Sequence, residues 1–245
     1  MSTSLTEISE RLTRLLGPKG FECHPFLVGW YNELVADKFA LDFPGDTLAY
    51  VVLSQPSMFE KTFLPYLQTK RLDQESQTDP IDQSILEAIK VVGDEEFLGE
   101  NLTILHDFEL HPNRRPKVLV QTAAHVSGAV RFFQPDDVKD QSLLKDVKSP
   151  KIYSVCLHPR FGGWFAIRAV IVFEQHSVPS LTKKSCDLRL EDVAVAELLT
   201  LYNDHWQDWR FRDVIESEEK YSKLQQEYFS AKPSERKSVI HKFMN

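Results

Sequence analysis

Apolar positions recur every three or four residues near the start of the chain, which predicts an amphipathic helix over residues 5–16. Ser4 and Glu7 form a capping-box pattern before it, and Gly17-Pro18 follows it as a stop signal. Residues 47–54 are almost continuously apolar instead, which predicts a strand buried on both faces. The chain therefore opens with a helix and then enters a sheet.

The same reasoning assigns the other elements. Further helices are predicted over residues 58–67, 81–92, 191–202, 217–229 and 234–243. Further strands are predicted over residues 102–108, 117–123, 152–157 and 164–174. Residues 26–34 read as a bend or a short helix, and residues 126–134 fit helix or strand equally well.

The order of these elements indicates an α+β fold, with an antiparallel central sheet flanked by helices. Strands concentrate in the middle of the chain, and helices lie at both ends. Residues 135–150 are rich in charge and turn formers, so we expect a surface loop there. We expect residues 1–245 to form one domain that includes this loop.

Composition excludes several classes of function. The 245 residues carry a formal net charge of -7, which argues against general affinity for nucleic acid or an anionic membrane. No apolar run approaches the roughly 20 residues of a membrane span. The three cysteines, Cys23, Cys156 and Cys186, show no CxxC spacing, so reduced thiols and a cytoplasmic location are expected.

Motifs for common chemistries are absent. The chain contains no GxGxxG, GxxxxGK[ST], HExxH or GxSxG pattern. No histidine pairs with another histidine or a cysteine at metal-binding spacing. Asp204-His205 starts like the Asp-x-His-x-x-Gly signature of cobalt-ligating corrinoid enzymes, but the spacing is wrong and no glycine follows. A protein-ligated metal and a triad hydrolase are therefore not expected.

Three clusters carry candidate chemistry, and the first spans residues 111–125. A basic turn leads into an apolar run that ends at Gln121, and His125 follows two alanines. Small residues beside a polar one leave room for a ligand. A hydrogen-bonded core histidine is the alternative for His125, and a plain basic turn is the alternative for the arginine pair.

The second cluster is His158-Pro-Arg-Phe-Gly-Gly-Trp-Phe-Ala-Ile-Arg168. Its glycine pair lets backbone approach a ligand closely, and its rings offer flat apolar faces. Arg168 lies in an apolar strand, so it needs an anionic partner, either a structural carboxylate or a ligand. Arg160 more simply braces a turn. Cys156 shares a strand face with His158, which permits a reactive pair, although a buried thiol in a pocket wall is the simpler interpretation.

The third cluster spans residues 205–213. Trp209 and Arg212 are three residues apart, so they share a face if the helix continues. A ring beside a guanidinium makes a wall for a ligand that is part apolar and part anionic. A tryptophan-rich stretch is also typical of a core, and Arg236 in the last helix is a further candidate for this group.

These motifs, together with residues 25–34, 79–83 and 228–230, closely resemble the CblC family, the methylmalonic aciduria and homocystinuria type C proteins. The resemblance implies a flavin-nitroreductase-like fold that holds cobalamin with its lower base off and supplies no ligand to cobalt. It implies glutathione-dependent dealkylation of alkylcobalamins and reductive decyanation of cyanocobalamin, with FMN or FAD carrying NADPH-derived electrons. A non-catalytic cobalamin chaperone and a flavin nitroreductase-like oxidoreductase are the alternatives.

The resemblance also assigns site residues. Glutathione binding is implied for Arg168, Arg212 and Arg236. Cobalamin binding is implied for Asp107, Val118, Leu119, Val120, Gln121, His125, Phe132, Phe133, Gln134, Cys156, Ile167 and Trp209. The type D cobalamin-trafficking protein is the implied partner, and a monomer or weak homodimer is expected. Arg131 and Ser154 depart from the family pattern, which expects an uncharged aromatic residue and a glycine there.

Overall fold

The computed structural model describes residues 4–69 and 79–244, and a four-stranded antiparallel sheet is its centre. The strands are β1 (Phe21–Leu27), β2 (Thr47–Ser54), β3 (Leu102–His106), β4 (Arg131–Phe133), β5 (Val155–Leu157) and β6 (Ala166–Ser177). The main sheet has the order β1-β2-β6-β3, and β4 pairs with β5 in a separate ribbon. The predicted α+β class with an antiparallel sheet is confirmed.

Helices flank this sheet. They are α1 (Leu5–Leu16), α2 (Val28–Asn32), α3 (Leu64–Thr69), α4 (Pro80–Val91), α5 (Val120–Val126), α6 (Asp192–Asp204), α7 (Lys223–Ser230) and α8 (Arg236–Met244). The predicted cap of α1 forms, since the Ser4 hydroxyl accepts from the amide of Glu7. The Asp79 carboxylate caps α4 by accepting from the amide of Ile81. Among the described residues, no helix is both long and apolar enough to cross a bilayer.

Strand β6 is buried on both faces because apolar residues alternate between two cores. Ala169, Ile171 and Phe173 pack with α1 and α4 on one side of the sheet. Val170 and Val172 pack with α2 and α5 on the other side. The pairing between β2 and β6 shifts by one residue where Val52 opposes Ala169 and Leu53 opposes Ile167. Arg168 is therefore the extra residue of a β-bulge, a device that re-aims a side chain.

One predicted strand is wrong. Residues 117–123 were expected to form a strand, but α5 begins at Val120. The small side chains of Ala123 and Ala124 are fully buried and let this helix lie close against the sheet. A short apolar run does not separate a buried strand from a buried helix, so the sequence pattern favoured the wrong element.

Other boundaries differ from the prediction. The helix expected over residues 217–229 begins only at Lys223, because the Ser222 hydroxyl caps it by accepting from the amide of Gln225. Residues 126–134 hold both predicted alternatives, since α5 ends at Val126 and β4 follows a turn at Gly128 with φ of 77°. The first half of the 58–67 helix is a π-helical turn, Phe59–Phe63.

Residues 135–150 form more than a surface loop. They contain two short 3-10 turns, Pro135–Asp137 and Gln141–Leu144. Val138 and Leu144 are buried and join a third core, in which α6 packs against the β4–β5 ribbon. The segment exposes its charged residues and packs its apolar residues against the third core.

Candidate functional site

A cavity of about 1040 Å³ opens where the start of β6 meets the C-terminal helices. The residues expected to bind glutathione, Arg168, Arg212 and Arg236, all line it, and Trp209 lines it with them. They come from a strand, a loop and the last helix, so only the tertiary fold brings them together. The volume lies at the upper end of the range for small-molecule sites, about 300–1000 Å³.

Arg168 reaches the cavity because of the bulge in β6, and the structure gives it a carboxylate partner. Its Nη1 lies 3.6 Å from Oδ2 of Asp107, and its Nε donates to the Ser54 hydroxyl at 3.3 Å. Its side chain is only 11% exposed. The sequence left open whether Arg168 pairs with a structural carboxylate or with a ligand. The structure supplies the carboxylate, and Arg168 still forms part of the cavity wall.

Arg212 lies inside a group of aromatic rings. Its guanidinium carbon is 4.8 Å from the ring centre of Trp209 and 5.0 Å from that of Tyr221. The expectation that Trp209 and Arg212 share one helix is wrong. Trp209 has a φ of 66° and separates two 3-10 turns. The Arg212 amide donates to the Trp209 carbonyl at 2.9 Å, and this 3-10 turn brings the two side chains to the same side. Trp209 also stacks on Trp164 at 5.8 Å between ring centres.

The glycine pair of the second cluster, Gly162-Gly163, packs against this aromatic group. A Cβ atom on Gly162 would lie 2.6 Å from the carbonyl oxygen of Arg212, and one on Gly163 would lie 2.7 Å from its Cα. Gly163 also donates to the Arg212 carbonyl at 3.0 Å, and its own carbonyl accepts from the Arg212 side chain. The close approach predicted from these glycines exists, but it is to the Arg212 backbone.

Arg236 is held by α4 and α7. Its guanidinium pairs with Asp79 and lies 5.3 Å from the ring centre of Tyr228. The Tyr228 hydroxyl donates to Oδ1 of the same Asp79 at 3.0 Å. Burial raises the pKa of the nearby Asp82 to about 6, and the Asp79 carboxylate adds to this effect. Carboxylates therefore lie behind two of the cavity's arginines.

Half of the residues expected to contact the corrin belong to one apolar cluster beside β6. These are Val118, Leu119, Val120, Phe132, Cys156 and Ile167. Phe132 opposes Cys156 across the β4–β5 ribbon. Burial raises the pKa of the Cys156 thiol far above its ordinary value, which keeps it protonated. This thiol suits an apolar wall and does not suit a nucleophile.

The remaining expected corrin contacts are more dispersed. Phe133 faces the third core, because neighbouring strand residues point to opposite sides. Gln121 and Gln134 are exposed, and Asp107 is paired with Arg168. His125 is half-buried, and burial lowers its pKa while its Nδ1 lies 3.4 Å from the Val130 carbonyl. Its expected neutral ring fits a place beside an apolar ligand.

The sequence prediction missed a cluster formed by Glu22, His24 and His158. Their ligand atoms lie within 4.8 Å of one another. Nε2 of His158 is 2.7 Å from Oε1 of Glu22, and Nε2 of His24 is 3.1 Å from the same oxygen. Burial would raise the pKa of Glu22, but the close imidazoles of His158 and His24 bring it well below its ordinary value. The alternation of β1 places Glu22 and His24 on one face, but nothing in the spacing points to His158.

The hydrogen bonds of His158 argue against a metal in this cluster. Its Nδ1 accepts from the amides of Arg160 at 3.1 Å and Phe161 at 3.3 Å. The ring proton therefore belongs on Nε2, where it faces Glu22. A metal at Nε2 would have to displace that proton from a ring whose other nitrogen is already occupied. The cluster is better explained as a network of close contacts between one carboxylate and two imidazoles, which holds the start of the 158–168 motif against β1.

Comparisons with known proteins place this chain in a family. A family model described as the methylmalonic aciduria and homocystinuria type C family matches residues 20–240. The chain belongs to this family. A chicken relative named cyanocobalamin reductase / alkylcobalamin dealkylase is 46% identical, covering 94% of this chain and 94% of its own. A human relative of the same name is 41% identical over 98% of this chain and 83% of its own.

A solved structure of a family member has the same fold. The crystal structure of a Caenorhabditis elegans B12-trafficking protein CblC, described as a human MMACHC homologue, superposes with a TM-score of 0.89. It is 30% identical, and the match covers 98% of this chain and 96% of that one. The predicted family and its α+β architecture are thus confirmed over nearly the whole chain.

Proposed function

We propose that this protein processes cobalamin: it binds the cofactor base-off and removes its upper axial ligand. The observation that carries this proposal is the convergence of Arg168, Arg212, Arg236 and Trp209 on one large cavity. Family relatives are named for cyanocobalamin reduction and alkylcobalamin dealkylation. The apolar cluster around Cys156 and Ile167 supplies the corrin wall beside that cavity.

Dealkylation needs a thiolate held next to the alkyl group of the substrate. Glutathione carries two carboxylates, and arginines bind carboxylates well through paired hydrogen bonds. The same positive field lowers the pKa of the thiol, whose proton goes to solvent. The sulfur then attacks the carbon bonded to cobalt. A sulfur–carbon bond forms, the cobalt–carbon bond breaks, and both of its electrons stay on cobalt, giving cob(I)alamin and a thioether.

The protein's part in this reaction is orientation and electrostatics. The expected corrin contacts are Val118, Leu119, Val120, Phe132, Cys156 and Ile167, with His125, Gln121, Phe133, Gln134 and Asp107 around them. None of these roles requires a protein ligand to cobalt, in agreement with base-off binding. Trp209, stacked on Trp164, would lie over the upper face and limit which alkyl groups fit.

Decyanation of cyanocobalamin needs electrons, and reduced FMN or FAD would supply them from NADPH. Tyr153 and Trp206 line the cavity and are 57% and 58% exposed. Two exposed rings at the edge of the site offer the flat apolar surface that a flavin ring system needs. We further propose that the product passes to the type D cobalamin-trafficking protein. The proposal places the protein in the cytoplasm as a monomer or weak homodimer.

The test is thiol-dependent turnover of methylcobalamin in the dark without oxygen, followed by absorbance and by detection of S-methylglutathione. We expect Arg168→Gln to lose at least tenfold in turnover while the base-off spectral shift on cobalamin binding remains. Arg160→Gln is the matched control, because Arg160 pairs with Glu218 at the surface and does not line the cavity. Binding without any thiol-dependent turnover in the unmodified protein would favour a cobalamin chaperone. Tight flavin co-purification with no response to cobalamin would favour a nitroreductase-like oxidoreductase.

A further inference from the structure

The charges on the cavity wall are unbalanced. Four cationic side chains line it, Arg168, Arg212, Lys232 and Arg236, and none of its described lining residues is an aspartate or glutamate. Two of the four form ion pairs with carboxylates that do not line the cavity: Arg168 with Asp107, and Arg236 with Asp79. Two positive charges are therefore left for a ligand, those of Arg212 and Lys232.

Arg212 keeps its charge free despite its many contacts. Within the part of the chain that the structure describes, no carboxylate lies within ion-pair distance of its guanidinium. Its neighbours are the rings of Trp209, Tyr221, Phe211 and Trp164 and the carbonyl of Gly163. Aromatic faces hold a guanidinium in place but do not neutralise it.

Lys232 is in a defined position although its side chain is exposed. It lies in the turn between α7 and α8, where its carbonyl accepts from the amides of Glu235 at 2.8 Å and Arg236 at 3.1 Å. The Glu235 carboxylate accepts from the backbone amide of Lys232 at 3.3 Å, and the structure shows no ion pair between it and the ammonium group. Ser230, two residues earlier, accepts from Nε1 of Trp209 at 3.3 Å and so joins this turn to the aromatic group.

We propose that Lys232 is a substrate-binding residue that takes one carboxylate of the thiol, while Arg212 takes the other. This inference rests on the proposed thiol-dependent dealkylation. Two unbalanced cations match the two carboxylates of glutathione, whereas Arg168 and Arg236 add hydrogen-bond donors without adding net charge. The lysine has a long flexible stem and acts as a point charge, so it can follow a carboxylate at the open side of the cavity.

The first experiment compares Lys232→Gln with Lys223→Gln in methylcobalamin dealkylation at varied glutathione concentration. Lys223 lies in α7 but does not line the cavity, so its substitution removes the same charge outside the site. We expect Lys232→Gln to raise the KM for glutathione about three- to tenfold, as for one partly exposed charged hydrogen bond, and to leave kcat within about twofold. Lys232→Arg should retain most of the affinity, and Lys232→Glu should lose more than the glutamine variant.

The second experiment identifies the carboxylate. The same proteins are assayed with glutathione glycyl ethyl ester and with 4-aminobutyryl-cysteinylglycine, each of which lacks one carboxylate charge. The KM penalty of Lys232→Gln should disappear with one analogue and persist with the other. An unchanged KM, or an equal penalty with all three thiols, overturns the inference. If the unmodified protein shows no turnover with glutathione, the proposed function fails and takes the inference with it, which is a distinct outcome.

Discussion

His158 shows how the neighbours of a single residue can fix its tautomer. It is 3% exposed, and its Nδ1 receives two backbone amides. Its Nε2 faces Glu22, whose lowered pKa keeps it ionised at neutral pH. The sequence permitted a reactive pair of His158 with Cys156 but favoured a buried thiol, and the structure gives His158 a carboxylate from β1 as its partner.

Glu22→Ala should destabilise the protein by roughly 1–3 kcal/mol, because the buried Nε2 proton of His158 loses its acceptor. The measurement is the free energy of unfolding in urea. Glu33→Ala removes an exposed glutamate and should change the free energy by less than about 0.5 kcal/mol. Equal effects of the two substitutions would contradict the network assigned to Glu22.

Arg168 illustrates what a residue pattern leaves open. An arginine in an apolar strand indicates an anionic partner, and the sequence alone did not choose between a structural carboxylate and a ligand. The structure supplies Asp107 and also places the guanidinium on the cavity wall. The bulge that permits both depends on how β2 and β6 pair, and pairing register is a property of two strands together.

At the scale of elements, α6 fixes the path of residues 135–150. Asp192 at its start accepts from the amides of Lys139 and Asp140 at 2.8 Å and 3.1 Å. Asp204 at its end accepts from the amides of Lys148 and Ser149 at 2.9 Å and 3.2 Å. These hydrogen bonds anchor residues 139–149 to α6, and Ser149 lines the cavity.

Asp204→Ala should loosen the end of this segment, because two backbone amides lose their acceptors. We expect faster amide hydrogen exchange at residues 145–150 and a stability loss of about 1 kcal/mol. Exchange in β2 and β6 should not change. Asp204→Asn keeps one acceptor oxygen and should give a smaller increase, so equal exchange rates in the three proteins would refute the role of this carboxylate.

The elements that were predicted correctly are those with a strong local signal. The capped helix α1, the proline-started helix α4 and the apolar strand β2 begin or end at residues whose chemistry is local. The misassigned run at residues 117–123 lacks such a signal, because its apolar residues fit a strand and a buried helix equally well. Contact of Ala123 and Ala124 with the sheet decided that case.

At the scale of the whole molecule, acidic groups from separate elements lie behind the cationic wall. Asp79 and Asp82 come from α4 and its cap, and Asp107 follows β3. Burial and the nearby charges of Asp79 and Asp107 raise the pKa of Asp82 to about 6, although the charges of Arg168 and Arg236 act in the opposite direction. Part of the molecule's stability therefore depends on pH.

An aspartate in the unfolded chain has a pKa near 3.9, so between about pH 4 and 6 the folded protein holds a proton that the unfolded chain has released. The contribution of Asp82 to the free energy of unfolding is therefore fully present below about pH 4. It is lost as the pH rises through about 6. Asp82→Asn should remove this loss. Relative to the unmodified protein, its free energy of unfolding should rise by roughly 1 kcal/mol from pH 5 to pH 7.5, after allowance for solvent screening. Urea unfolding at the two pH values measures it.

Glu60→Gln is the control, since it neutralises an exposed carboxylate far along the chain from Asp82. Its effect should be the same at both pH values. A difference between Asp82→Asn and the unmodified protein that stays constant with pH would contradict the assigned protonation.

The sequence by itself determined the family, the α+β class and the residues that carry its motifs, because these depend on local pattern and on long ordered motifs. It predicted Arg168, Arg212, Arg236 and Trp209, and the structure places all four on one cavity. Only the tertiary structure decided that two of these arginines are already balanced, that Lys232 joins them, and that the glycine pair approaches Arg212. Charge balance and close packing depend on distances between residues far apart in the chain, and no local pattern encodes those distances.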